Sequence, residues 1–205
     1  MKKIILSGLL LCLLQPALAQ PKPTPSTQKA SASLPIPEKV TEAEGITEYK
    51  LANGLRVLLF PDPSKQTVTV NITYLVGSRH EGYGETGMSH LLEHMVFKGS
   101  EQLEAGEFDL KVEALGGNSN AATGFDDVHY HVLIPPQAAT QAVDLLLDLV
   151  LQPRLDGGDF AMERQVVLEE LAQSEDQPEE VAFQELLRQA CGSHAYGLPI
   201  LGRRE

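Results

Sequence analysis

The chain has 205 residues, 42% of them hydrophobic, and 28 acidic against 16 basic side chains for a formal charge of −12. That balance supports a globular fold and argues against nucleic acid or an anionic membrane surface as a partner. Of two cysteines, Cys12 lies in an N-terminal apolar run, so Cys191 is left alone in the mature chain and no intramolecular disulfide can form.

Met1-Lys2-Lys3 precedes an apolar run from Ile4 to Leu14, and Ala17-Leu18-Ala19 follows. A short positive region, a short apolar core and Ala-x-Ala predict a secretory signal peptide over 1–19, cleaved after Ala19. The run is too short for a stable membrane span, although an uncleaved anchor is the competing reading. Cleavage removes two lysines and takes the charge to −14. Export to the periplasm or the exterior of a bacterium is the expected setting, with no membrane span afterwards. Residues 20–40 are rich in Pro, Ser and Thr and read as a disordered linker. One domain is expected over 41–205.

Thr47 to Leu51 and Leu55 to Phe60 read as two strands around the Asn53-Gly54 turn signal. Thr67 to Val76 alternates and is β-branched, a third strand. After the loop Gly77 to Gly84, a helix is predicted from about Thr86 to Phe97, buried through Leu91, Leu92, Val96 and Phe97. A second helix runs from Ala105 to Leu115 and ends at Gly116-Gly117. Asn118 to Thr123 is a short edge segment, and Asp127 to Ile134 is a strand. Pro135-Pro136 opens a helix to Leu151 with Val143, Leu146, Leu147 and Val150 inward. Asp156-Gly157-Gly158 reads as a turn, Asp159 as the cap of a helix to about Ser174, and Pro178 as the start of a last helix, Glu179 to Ala190. Cys191, at its end, reads as a buried inert thiol. The order of elements argues for an α+β fold, a mostly antiparallel sheet with helices on one face.

The first predicted helix holds His90-Leu91-Leu92-Glu93-His94. At i and i+4 the two imidazoles leave one face a turn apart, the spacing that two ligands of one zinc ion require. Glu93 lies beside them, placed to act on a metal-bound water. This is the inverted zinc-protease pattern, with Glu directly before the second His. A core helix with two satisfied histidines is the bland alternative. Activating a water calls for a third protein ligand. The helix around Glu163 to Leu171 can supply it, since Glu163 and Glu170 share a face with Val166 and Val167 between them. A solvated acidic face is the competing reading, and Glu169 fits it best. His129 and His131 leave one face of a strand and could also bind metal. His80 and His194 read as solvated loop residues, and Asp126 and Asp127 as turn residues.

The stretch around His90 resembles the pitrilysin (insulinase, mitochondrial processing peptidase) family of zinc metallopeptidases. In that family a Glu about 76 residues after the second His completes the zinc site, and Glu170 stands at that distance from His94. The family's acid seven residues earlier, which supports the site without being its main ligand, is matched by Glu163. Gly77-Ser78-Arg79 with Glu81, Phe97-Lys98-Gly99-Ser100, Gly116-Gly117 with Asn120-Ala121 and Thr123, and Ala195-Tyr196-Gly197 with Leu201-Gly202 are further ordered matches, from about Thr47 onward.

The resemblance implies one half of a pitrilysin-type α+β peptidase. It implies Zn²⁺ held by His90, His94 and Glu170, Glu93 as general base, and peptides or unfolded segments as substrate. The segment bearing Asn118, Asn120, Ala121 and Thr123 corresponds to an edge strand to which substrate adds, against the plainer reading of an ordinary loop. The resembled enzymes have a second half that supplies an Arg and a Tyr over the zinc. The sequence stops at Glu205 inside the first half, so a further half or a partner subunit is expected. A non-catalytic peptide-binding subunit and an inactive zinc-binding fragment are the alternatives to an endopeptidase.

Overall fold

A computed structural model describes residues 35–204 except Tyr83. The signal peptide and the linker up to residue 34 lie outside the described residues. The described chain divides into two compact units, with the boundary between Pro61 and Asp62.

In the first unit, β1 (Glu38–Ala43), β2 (Ile46–Lys50) and β3 (Arg56–Leu59) form an antiparallel sheet in that order. Glu44 and Gly45, at φ +52° and +83°, make the two-residue turn that joins β1 to β2. β1 takes in Glu38 to Val40, which composition assigned to the linker. All six of its side chains are exposed, so it carries no alternating apolar signal. Glu48 on β2 is buried and is held by Arg56 Nε on β3 at 2.5 Å.

The second unit runs β4 (Val68–Tyr74), α1 (Met88–Val96), α2 (Glu107–Ala114), β5 (Asn118–Thr123), β6 (Val128–Ile134), α3 (Ala139–Leu151), α4 (Gly157–Glu175) and α5 (Pro178–Cys191). Its sheet is antiparallel in the order β4-β6-β5. Every second residue of β6 (Val128, Tyr130, Val132, Ile134) is buried. These meet Phe108 and Val112 of α2, Ala142, Leu146 and Leu149 of α3, and Val96 at the end of α1 in one core. A smaller cluster of Leu91, Met95 and Val167 joins α1 to α4. The α+β class is as expected, with the strands divided between two sheets.

Several local expectations are corrected. Asp156, not Asp159, caps α4. Its carboxylate accepts from the Gly158 and Asp159 N–H groups, and the two glycines lie in the first turn of the helix. Leu92 is 47% exposed, and Val143 and Val166 are exposed as well. Each lies a residue or so off the stripe that its helix buries, and Met95, Ala142 and Val167 occupy those stripes instead. Cys191 is half-buried rather than buried, because α5 buries none of its residues among those described. No helix among the described residues is long and apolar enough to cross a membrane.

Candidate metal centre

α1 and α4 lie antiparallel across the small cluster of Leu91, Met95 and Val167. That contact brings His90 and His94 opposite Glu163 and Glu170. His90 Nε2 and His94 Nε2 lie 3.7 and 3.3 Å from Glu170 Oε2. The donor atoms of the three residues all fall within 4.8 Å of one another. Tetrahedral donors about 2.1 Å from a shared zinc ion sit about 3.4 Å apart. The two His–Glu distances bracket that edge, and two imidazoles with one carboxylate are a usual donor set for an open zinc site.

Burial pushes the His90 pKa below its ordinary value, with Glu170 acting in the opposite sense. Low dielectric disfavours the imidazolium and so favours the neutral ring, the form that can ligate. Its Nδ1 is buried with no hydrogen-bond partner among the described residues. His94 differs: its Nδ1 lies 3.2 Å from Glu163 Oε2, and the other Glu163 oxygen meets Lys98 Nζ at 2.6 Å.

Glu93 projects from α1 on the side of β5, where the Thr123 hydroxyl donates to its Oε2. β5 is an edge strand, paired through Asn120↔His131 and Ala122↔His129 to β6 on one side only among the described residues. Ala121 and Thr123 are half-buried on the side of the His90, His94 and Glu170 group, whereas Asn118 and Asn120 are exposed. Asn118 and Asn120 do not line the cleft over that group. A cleft of about 1010 Å³ opens over His90, Glu93, Thr123 and Glu170 and extends to Phe183, Leu187, Leu198 and Ile200.

The remaining histidines stay apart from the triad. His129 and His131 stack at 6.0 Å, and His129 Nδ1 lies 3.3 Å from Asp127. The only group of three donors close enough to hold a metal among the described residues is His90, His94 and Glu170. His80 and His194 each accept from a backbone N–H in a short turn. Asp126 is more than a turn residue: it pairs with Arg79 Nε at 2.6 Å and accepts from the Tyr196 hydroxyl at 2.7 Å.

Two supporting residues carry more than their sequence context suggested. Glu81 accepts from the Gly87 and Ser89 N–H groups at 2.9 and 2.7 Å, closing the start of α1 with a carboxylate. Gly87 enters α1 at φ +95°, and a Cβ there would lie 2.7 Å from the Gly202 Cα. The Leu201-Gly202 loop is thus pressed against the helix start. An acid a few residues before a helix is a readable capping signal; the approach of Gly202 has no local signature.

The sequence model of the family described as Insulinase (Peptidase family M16) matches residues 56–204. The chain belongs to this family. It is 34% identical over 160 residues to an uncharacterized zinc protease, YmxG, of Bacillus subtilis, covering 78% of this chain and 39% of that protein. It is 35% identical over 156 residues to the mitochondrial-processing peptidase subunit beta of Blastocladiella emersonii, covering 76% and 34%. A crystal structure of a protease from Helicobacter pylori matches with a TM-score of 0.72 and 33% identity, over 83% of this chain and 39% of that one. Pitrilysin shares the fold, with a TM-score of 0.68 at 24% identity over 81% and 18%. This M16 chain therefore spans about two fifths of the length of such relatives, 39% for YmxG.

Proposed function

We propose that this chain carries the metal centre of a zinc-dependent metalloendopeptidase that hydrolyses peptide bonds in peptides or unfolded segments. The convergence of His90 Nε2, His94 Nε2 and a Glu170 oxygen, with Glu93 beside them, is the observation that supports it most. Zinc held by His90, His94 and Glu170 would supply Lewis acidity and an acidified water. Glu93 takes the proton of the attacking water and returns it to the leaving amine. Thr123 fixes one oxygen of Glu93 by donating to it. The free edge of β5 offers backbone N–H and C=O groups to an extended peptide beside that carboxylate, which binds chain without strong sequence preference.

The remaining span of M16 relatives, or a partner subunit, completes the cleft in this reading. Residues 1–19 export the protein to the periplasm or beyond.

Zinc content and cleavage of a quenched peptide test the proposal together. The expected result is one zinc per chain, with Glu93→Gln retaining zinc and losing about 10²- to 10⁴-fold in rate. A purified protein without stoichiometric zinc overturns the reading. Zinc without turnover leaves an inactive metal-binding portion.

A further inference from the structure

Three residues at four-residue spacing face α4: His90 and His94 of α1, and Lys98 just past the end of that helix. α4 answers with two carboxylates seven residues apart, Glu170 and Glu163. The result is a ladder: His90 and His94 on Glu170, then His94 and Lys98 on Glu163. We propose that Lys98 is a positioning residue of the metal centre, holding Glu163 so that Glu163 in turn aims the His94 ring. This rests on the zinc-site reading above and extends it one residue further out.

The carboxylate of Glu163 is the pivot. Glu163 is only 7% exposed, and a buried carboxylate is costly unless cations or donors meet both of its oxygens. Here each oxygen has its own partner, Lys98 Nζ on Oε1 at 2.6 Å and His94 Nδ1 on Oε2 at 3.2 Å. With Oε1 engaged, the carboxyl group cannot turn away from His94. A hydrogen bond at Nδ1 fixes both the tautomer and the orientation of an imidazole, leaving Nε2 for a metal. His94 Nε2 accordingly points at Glu170 Oε2, 3.3 Å away.

Lys98 is itself anchored. Arg154 donates from Nη2 to the Lys98 carbonyl at 3.3 Å and from its backbone N–H to the Gly99 carbonyl at 2.8 Å. Lys98 also follows the last turn of α1, where a cation is favoured by the helix dipole. Its side chain is 31% exposed but its partner is buried, so loss of Lys98 also carries a stability cost, which melts of the metal-free protein register. A role through Glu163 on metal affinity is a separable effect.

The test is a zinc titration of the full chain against a competing fluorescent chelator, with thermal melts of the metal-free proteins alongside. Lys98→Met is expected to weaken zinc about tenfold, the lower end of the range for residues that orient a ligand. In a Glu163→Gln background, Lys98→Met is expected to change zinc affinity no further. Unchanged affinity in Lys98→Met overturns the proposal, as does an equal loss in both backgrounds. Should Lys98→Met fail to fold, Lys98→Gln carries the same comparison. A wild-type chain that binds no zinc overturns the metal centre itself, whereas equal binding by wild type and Lys98→Met overturns only the role of Lys98.

Discussion

Thr123 on the edge strand β5 donates its hydroxyl to the carboxylate of Glu93 on α1. The bond links the strand that an extended peptide would join to the group that would move the proton. Replacing Thr123 by Val keeps shape and β-propensity but removes the donor. A hydrogen bond to a charged group contributes about 1.5–3 kcal/mol, so if only the lower end is expressed in the barrier, kcat falls about tenfold. Zinc stoichiometry should stay at the wild-type level. The check is peptide hydrolysis beside metal analysis on the same preparation, and a variant with wild-type kcat contradicts the positioning role.

Glu81 closes the start of the same helix through Gly87 and Ser89. Glu81→Ala leaves two N–H groups without that acceptor. Loss of a helix cap costs about 1 kcal/mol, within a range of about 0.5–2. Urea unfolding should register that decrease. Because His90 is three residues past Gly87, zinc affinity should weaken in the same variant.

Gly87 itself admits no side chain. Its φ of +95° is in the left-handed region, and an added Cβ would meet the Gly202 Cα at 2.7 Å and the Leu201 carbonyl at 2.9 Å. Gly87→Ala combines about 1–2 kcal/mol of backbone strain with displacement of backbone atoms that have no rotamer to escape into. A loss above about 2 kcal/mol in denaturant unfolding is expected. Gly54, at φ +93° with nothing within 4 Å of its Cβ, is the control and should show the strain cost alone.

Much of this architecture could be read from the residues because it is local. The alternation of Val68 to Tyr74 and the proline starts at Pro136 and Pro178 each predict an element that is present. The His90–His94 spacing placed two imidazoles on one face, and the donor atoms of Glu170 on α4 and of both histidines lie within 4.8 Å of one another. What escaped depends on tertiary contact. β1 exposes all six side chains, so pairing with β2 and not hydrophobic patterning defines it. Leu92 and Val166 are apolar yet exposed, because burial follows the narrow seam between α1 and α4 rather than residue type. Asn118 and Asn120 are exposed and Ala121 and Thr123 half-buried, an alternation of period two that a family match to the segment as a whole does not resolve. Lys98 was legible in principle, being four residues beyond His94, but its partner Glu163 lies on another helix.

The core beneath the site predicts how the second unit responds to alkali. Tyr130 is almost fully buried on β6, with its ring 6.0 Å from Phe97 and 6.4 Å from Tyr74. Burial, reinforced by the negative charges of Glu93 and an ionised Tyr74, pushes its phenol pKa well above the usual value. In the unfolded chain the phenol ionises near pH 10. The folded state therefore holds this proton where the unfolded state has released it, and stability decreases with rising pH across that interval. The contribution is complete below about pH 10 and is lost as pH climbs through the raised folded value. Tyr130→Phe keeps the ring contacts and removes the proton. Melts between pH 8 and pH 11 should show a shallower alkaline decline for Tyr130→Phe than for wild type. Parallel declines in the two proteins would assign the alkaline loss to other groups.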